Sequence, residues 1–433
     1  MMKKYDSYKN SGVEWLGEVP EHWELKKLKY VANINPSKAD VLAGVDDEQP
    51  VTFLPMEKVS ENGTIDTEIK KPIKELVSGF TFFQKCDVIV AKITPCFENG
   101  KGAYLEKLDS PFGFGSTEFH VLRGHEEVVL NEFLYYVTKS NLFMELGEGA
   151  MTGAGGQKRV PTPFLQDYLL AYPSSLTEQK AIVDFVKSKT SQIDSLIQKK
   201  QQMIALLEEE KTAVINEAVT KGLAPDAPME DSGVAWLGKV PAYWEVKKLK
   251  YLASLKSGDS ITSDSIDREV GEYPVYGGNG RRGYTASYTH EGFYILIGRQ
   301  GALCGNINYA QGQFWASEHA VVVSILGQHD TIWLGELLRA MNLNQYSQSA
   351  AQPGLAVDNI QNLYVPVPPY SEQLEISSYI QGELGRINTT ITHVMREITL
   401  LQEYRTALIS EAVTGKIDVR DYQPEPITST ALA

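Results

Sequence analysis

Residues 11–32 read SGVEWLGEVPEHWELKKLKYVA, and residues 232–253 read SGVAWLGKVPAYWEVKKLKYLA. About three quarters of the paired positions are identical, and no gap is needed to align them. Internal repetition is weighed before any other signal, because it sets the architecture before any single element is assigned. Working outward, a second pair follows. Residues 177–220 open on TEQKAIVDFV and close on KTAVINEAVT; residues 371–414 open on SEQLEISSYI and close on RTALISEAVT, again without a gap. The segments in between are dissimilar, and the first is the longer by about 27 residues. The order is a short constant piece, a variable piece, a long constant piece, then the same again. Duplication with uniform drift would not spare both ends and rewrite the middle. The constant pieces therefore read as scaffold, and the variable pieces as two surfaces that meet different targets.

The long constant pieces carry a helical seam. Ile380, Leu384, Ile387, Ile391, Val394, Ile398, Leu401, Arg405, Leu408 and Ala412 follow one another in alternating steps of four and three, a heptad pattern. The matching positions of the first copy are Val186, Thr190, Ile193, Ile197, Lys200, Ile204, Leu207, Lys211, Val214 and Ala218, with polar breaks at Thr190, Lys200 and Lys211. Thr177 or Ser371 followed by Glu-Gln suits a helix N-cap region, and Gly222 and Gly415 suit the stops. Roughly 44 helical residues span about 66 Å at about 1.5 Å per residue. Because each helix follows its own globular domain, the two seams are expected to pair within the chain as an antiparallel coiled coil, in preference to pairing between chains.

Each variable piece mixes strands and turns. DVIVAK at 87–92 and FYILIGR at 293–299 read as apolar strands, each ending on a basic residue and followed by a glycine-containing turn, ITPCFENGKG and QGALCGN. Similar segments come next, STEFHVL at 116–122 and ASEHAVV at 316–322, and small-residue loops precede the long helices, GAGGQKR at 153–159 and AAQPGLA at 350–356. The expected fold class is α+β: two globular domains with β-sheet cores, separated by two long helices pairing as an antiparallel coiled coil. The expected division is 1–168 for the first domain (with constant segment 11–32), 169–223 for the first helix, 224–365 for the second domain (with constant segment 232–253), 366–418 for the second helix, and 419–433 for a tail.

With 41 Lys and Arg against 55 Asp and Glu, the net charge is −14. That argues against non-specific coating of nucleic acid, yet a DNA contact needs only local positive charge. From Tyr30 to Tyr168 there are 13 basic and 20 acidic residues, so the basic ones must cluster if this domain reads DNA. The candidates are Lys92, Lys101, Lys158 and Arg159 with Gln157 in the first domain, and Arg281, Arg282 and Arg299 with Asn279 and Gln300 in the second. Arg and Lys suit guanine edges, and Asn and Gln suit adenine. The constant Lys26-Lys27-Leu28-Lys29-Tyr30 and Lys247-Lys248-Leu249-Lys250-Tyr251 suit phosphate or a solvated face equally. Being the same in both copies, they cannot distinguish two sequences. Cys86, Cys96 and Cys304 are odd in number and form no metal motif, as expected for a reducing cytoplasm. The polar first ten residues lack the apolar stretch of a secretory signal, and no apolar run approaches a membrane span.

Three short segments imitate catalytic motifs. Pro368-Pro369-Tyr370 resembles the Pro-Pro-Tyr of adenine amino-methyltransferases, but Val367 stands where those enzymes place a side-chain acceptor. Phe112-Gly113-Phe114-Gly115 does not join a strand to a helix, as a methyl-donor loop would. The loop from Gly153 to Lys158 lacks the Gly-Lys-Ser/Thr of a phosphate loop. No catalytic residue and no metal site is expected.

Over nearly its whole length the chain resembles the specificity subunits of type I restriction–modification systems. The resemblance rests on both SGVxWLGxVPxxWExKKLKY segments, both (T/S)EQ…(K/R)TAxIxEAVT helices, and YPVYGGNGRRGY with YILIGRQGALCGN in the second variable piece; the first variable piece matches less distinctively. The resemblance implies that each variable domain is a target-recognition domain reading one half of a bipartite site in double-stranded DNA. It further implies that the helices set the spacing, and that two methyltransferase subunits dock on the constant parts and methylate adenine with S-adenosylmethionine. Restriction subunits using ATP and Mg2+ would join the complex, leaving this cytoplasmic chain without a cofactor or catalysis of its own. The recognition subunit of a type IIB system, or a coiled-coil scaffold with no DNA role, are the alternatives.

The seam itself makes one prediction. Inserting one heptad into both long helices, after Leu207 and before Leu401, keeps the seam in register but lengthens the pair by about 10 Å, or about three base pairs. Three pairs turn the groove by roughly 100°, whereas a heptad turns a helix by only about 20°. Methylation of the native site by the assembled complex should collapse while the complex still forms. Undiminished methylation would show that the helices are not the ruler.

Overall fold

The computed structural model describes residues 3–154, 156–301, 303–347 and 354–423. Gly155 and residues 350–353 of the small-residue loops, Ala302 in the QGALCGN turn, and 424–433 of the tail lie outside the described residues. The chain forms two compact units, one of residues 1–199 with 396–433, the other of 200–395. Among the described residues no helix is long and apolar enough to cross a membrane.

In the first unit, strands Ala32–Ile34, Phe119–Gly124, Val88–Ala91 and Gly102–Tyr104 form an antiparallel sheet in that order. Val88–Ala91 is buried on both faces, which explains why DVIVAK reads as an unbroken apolar run and not as an alternation. One face packs on the main core with Phe133, Phe143 and Tyr172. The other packs, through Ile89, Ala91, Phe119 and Val121, with Leu54 and Phe83, which belong to a second four-stranded sheet ordered Lys70–Pro72, Pro50–Leu54, Phe112–Gly115, Thr81–Gln84. This second sheet, with its own small core around Phe53, Leu76 and Phe114, is built from the longer of the two variable pieces. The FGFG segment is one of its strands.

The second unit holds a six-stranded sheet, ordered Ala253–Ser257, Ala320–Ile325, His290–Gly298, Ile307–Ala316, Tyr273–Gly277, Gly280–Thr285. The apolar strand starts three residues earlier than the sequence suggests, at His290, because His290 to Ile297 find a full antiparallel partner in Ile307 to Phe314. The ladder also fixes how STEFHVL matches ASEHAVV residue by residue. In the first unit the Phe119 N–H closes a turn on the Ser116 carbonyl, and in the second the Ala320 N–H closes it on Ser317. Glu118 thus corresponds to His319 and not to Glu318.

The constant pieces do the same work in both units. The strand Trp23–Lys27 pairs with Leu169–Pro173, and Glu245–Lys248 with Tyr364–Val367, the strands that lead into the long helices. Those helices run Leu176–Lys221 and Tyr370–Val413. They begin one residue before Thr177 and Ser371, so these residues sit inside the first turn and do not cap it; in the first copy Ser175 Oγ accepts from the Glu178 N–H at 3.4 Å. The Glu-Gln that follows is a tertiary clamp. Glu178 accepts hydrogen bonds from the Trp23 indole at 3.0 Å and the Tyr5 hydroxyl at 2.9 Å. Glu372 accepts from the Trp244 indole at 3.1 Å and the Tyr243 hydroxyl at 3.0 Å. Gln179 bonds the Leu130 N–H and the Val128 and Pro173 carbonyls; Gln373 bonds the Asp330 N–H and the Pro368 carbonyl. Gly222 and Gly415 end the helices at positive φ.

Within each unit the halves of the two long helices pack antiparallel along the seam. In the first, Ile193, Leu408 and Ala412 are buried together with Ile197 and Leu401 against them, and Arg405 grips Asp194 at 2.8 Å. In the second, Leu207, Ile387 and Ile391 are buried with Ile204 alongside, and Arg386 meets Glu210 at 2.7 Å. The polar breaks turn out compatible with the seam: Thr190 returns its hydroxyl to the Val186 carbonyl at 2.8 Å, and Lys211 reaches Asn388 at 3.3 Å. Val394 is buried, while Val214 and Ile398 are half-buried.

Removing a clamp carboxylate should destabilise its own unit. Glu178 is 8% exposed, so Glu178→Ala leaves the buried Trp23 indole and Tyr5 hydroxyl unpaired and should cost about 1–3 kcal/mol. Glu372→Ala should cost less, because Tyr243 is half exposed and regains water. Thermal unfolding of both variants checks the order; equal losses would contradict the burial argument.

Candidate nucleic-acid interface

In the first unit, the strand Val88–Ala91 delivers Lys92 to a junction of three segments. The Lys92 N–H bonds the Glu118 carbonyl, and its carbonyl accepts from the Val160 N–H, both at 2.8 Å. Ile93 bridges to Arg159, and Thr94 exchanges hydrogen bonds with the Lys158 backbone at 3.0 Å. The loop before the long helix is thereby stitched beside the end of the strand, which brings together Lys92, Lys158 and Arg159, with Gln157 exposed next to them. The side chains of Lys92, Gln157 and Lys158 meet no hydrogen-bonding or ionic partner among the described residues.

Arg159 is engaged differently. Its guanidinium lies bidentate on Glu118 at 2.9 and 2.8 Å. That pair holds the Glu118 carboxyl below the usual carboxylate range, with Lys92 adding to the effect. Behind it, His120 bonds the Val160 carbonyl through Nε2 at 2.9 Å and Asn35 through Nδ1 at 3.3 Å; burial pushes its pKa down. Lys101 stands apart, since its ammonium is directed to the Met56 carbonyl at 3.2 Å.

The second unit repeats the junction with other side chains. The Arg299 N–H bonds the His319 carbonyl, and its carbonyl accepts from the Leu355 N–H, both at 2.9 Å. Gln300 bridges to Gly354, the position that Arg159 fills in the first unit. A glycine turn then closes over the strand end. A Cβ on Gly298 would sit 2.3 Å from the Gly278 carbonyl, and one on Gly278 would sit 3.1 Å from the His319 carbonyl. Only glycine permits this backbone contact, and it carries Asn279, Arg281 and Arg282 to the same end of the sheet as Arg299 and Gln300. Asn279 accepts from Asn306 at 3.0 Å, Gln300 meets His319 at 3.2 Å, and Arg281 lies over the Tyr284 ring while donating to its hydroxyl at 2.7 Å. The side chains of Arg282 and Arg299 meet no hydrogen-bonding or ionic partner among the described residues.

All five residues expected in the second domain therefore lie at one end of its sheet. In the first domain four of five do, with Lys101 diverted. Sequence reasoning passed over Glu118, Asn306, Asn308, Ser317, Glu318 and His319, although three of the quoted segments contain five of them; isolated polar residues in and beside turns carry no periodic signal. The constant Lys26–Tyr30 and Lys247–Tyr251 stretches lie at the opposite end of each sheet, where Ala32 pairs with Gly124 and Ala253 with Ile325. There Lys27 and Lys29 are paired with Asp167, and Lys250 with Asn362. Among the described residues no group of three or more His, Cys, Asp or Glu side chains could hold a metal ion.

Comparison with known proteins agrees with this duplicated layout. The chain is 43% identical over 153 residues to the type I restriction enzyme EcoprrI specificity subunit of Escherichia coli, a match covering 35% of this chain and 38% of that one. It is 40% identical over 172 residues to the EcoAI specificity subunit of the same organism, covering 39% and 28%. The matched stretch thus spans well under half the length of these curated relatives. A structure solved in work on complex assembly and conformational transition of the type I R-M system shares the fold, with a TM-score of 0.74 at 16% identity, covering 91% of this chain and 98% of that one. The family model for the type I restriction modification DNA specificity domain matches twice, over residues 20–205 and 241–399. Matched over both repeats and most of its length, this chain belongs to the family of type I restriction modification DNA specificity domains.

Proposed function

We propose that the chain is the DNA sequence-specificity subunit of a type I restriction–modification complex, each unit reading one half of a bipartite site in double-stranded DNA. The observation that carries this reading is the repeated junction. Two sheets present their strand ends, basic residues and pre-helix loops through the same backbone hydrogen bonds, but with different side chains. A shared scaffold with exchanged side chains is what two different half-sites require. Unpaired Arg282, Arg299, Lys92 and Lys158 suit phosphates or guanine edges, and the amides of Asn279, Gln300 and Gln157 suit adenine.

Methyl transfer belongs, in this reading, to two methyltransferase subunits that bind S-adenosylmethionine and flip the target base. ATP and Mg2+ belong to restriction subunits, and the assembly works in the cytoplasm. The purified chain should then transfer no methyl group to DNA when supplied with labelled S-adenosylmethionine. Label incorporated without partner subunits would overturn the non-catalytic assignment.

Arg281→Ala combined with Arg282→Ala should weaken binding through the second unit, measured by mobility shift across a salt series with the partner subunits present. Lost phosphate contacts lower affinity for all sequences and flatten the salt slope by about one per contact, whereas a lost base contact relaxes one half-site by about 1–3 kcal/mol. If affinity, slope and half-site preference all stay unchanged, the arginine pair lies outside the interface.

A further inference from the structure

We infer that Glu318 is a specificity-determining acceptor in the second unit, taking a hydrogen bond from the exocyclic amino group of a base, adenine N6 or cytosine N4. This rests on the DNA-reading function proposed above and goes further by assigning a carboxylate, a group that phosphates repel, to the reading surface.

Glu318 sits in the turn between strands Ile307–Ala316 and Ala320–Ile325, directly before His319, whose carbonyl anchors Arg299. Its Oε2 is buried and has no hydrogen-bond partner among the described residues. Its other oxygen lies 3.4 Å from His319 Nε2. The Oγ of Ser317 in the same turn and the Nδ2 of Asn308 in the strand Ile307–Ala316 are also buried without a partner among the described residues, and the Asn308 carboxamide lies against Gly280. Buried polar atoms are almost always paired; Glu318 leaves one carboxylate oxygen unmatched while 36% of its side chain stays exposed beside Arg299 and the glycine turn, so its carboxylate can meet a donor from outside the chain.

The first unit shows what this surface looks like when the carboxylate is satisfied internally. There Glu118, one position further along the turn, is held by both arms of Arg159. In the second unit the place of Arg159 is taken by Gly354, so no guanidinium reaches the turn from that loop. An acceptor near a phosphate backbone gains nothing from the phosphates. Its favourable partners on DNA are the amino groups in the major groove, N6 of adenine and N4 of cytosine. A carboxylate in this position also rejects guanine and thymine, whose groove edges offer it only acceptors.

The test uses the full chain with its methyltransferase subunits and a pool of DNA duplexes randomised across both half-sites, with bound sequences recovered and counted. The parent should select a bipartite motif. Glu318→Ala should lose the preference for an amino-bearing base at one position by about tenfold or more, keep the rest of the motif, and bind random DNA as well as the parent or better, since a repulsive charge is gone. Glu318→Asp, which retains the carboxylate, should keep the same base preference at lower discrimination. The intact preference in the other half-site reports that the variant is folded and assembled. An unchanged motif, or an even loss across all positions, would overturn the assignment of Glu318 and leave the reading function standing. A parent that selects no motif would overturn both.

Discussion

Everything in each unit hangs from a carboxylate in the first turn of a long helix that accepts the indole N–H of a buried tryptophan. Trp23 is fully buried and Trp244 nearly so, and a buried indole N–H without a partner costs about as much as the hydrogen bond it forgoes. Glu178 and Glu372 remove that cost, and in doing so set where the constant strand meets the helix. The neighbouring glutamine completes the joint by bonding the turn before the long helix and the N-cap residue of an earlier helix, Asn131–Thr138 in the first unit and Thr331–Ala340 in the second. Strand, turn and helix start are thereby locked as one corner, and the variable sheet is suspended from it.

That corner explains how one scaffold carries two different surfaces. The strand following each constant segment enters the sheet at the end opposite the basic junction. Side chains at the far end can change without disturbing the clamp, because nothing in the clamp touches them. The first unit uses this freedom to add a second sheet with its own core; the second uses it to lengthen strands and lay a glycine turn across them. Both keep the backbone bonds that hold a basic residue between a turn and the pre-helix loop.

The distribution of charge follows the same division. The chain is strongly acidic, and many of its lysines and arginines are matched with carboxylates: Lys27 and Lys29 with Asp167, Lys187 with Glu132, Arg405 with Asp194, Arg386 with Glu210. At the strand ends the matching is incomplete: the side chains of Lys92, Lys158, Arg282 and Arg299 form no hydrogen bond or salt bridge among the described residues, and Lys92 acts on Glu118 only through space. A few cations without salt bridges on an acidic body concentrate positive potential at the strand ends of each unit, an effect that salt screens over about 8 Å at physiological strength.

The repeats, the heptad seam and the apolar strands were legible in the sequence because each is periodic or duplicated, and periodicity needs no knowledge of what lies opposite. The antiparallel pairing followed from having two seams in one chain. The cations at the strand ends were legible as a composition, since basic residues beside glycine turns stand out in an acidic chain. What the sequence left open depends on distances across the fold. Thr177 and Ser371 read as caps, but only the tertiary contacts reveal that the adjoining Glu and Gln are the working residues. Lys101 and Arg159 looked alike as free cations; one turns to a carbonyl and the other to Glu118. The likeness of STEFHVL to ASEHAVV left the residue-by-residue match open, and only the hydrogen-bond ladder sets Glu118 opposite His319. The constant parts of this protein were thus determined by pattern. The strand-end surfaces were decided by the tertiary structure, for the physical reason that a polar side chain's role is set by which partner comes within about 3 Å of it.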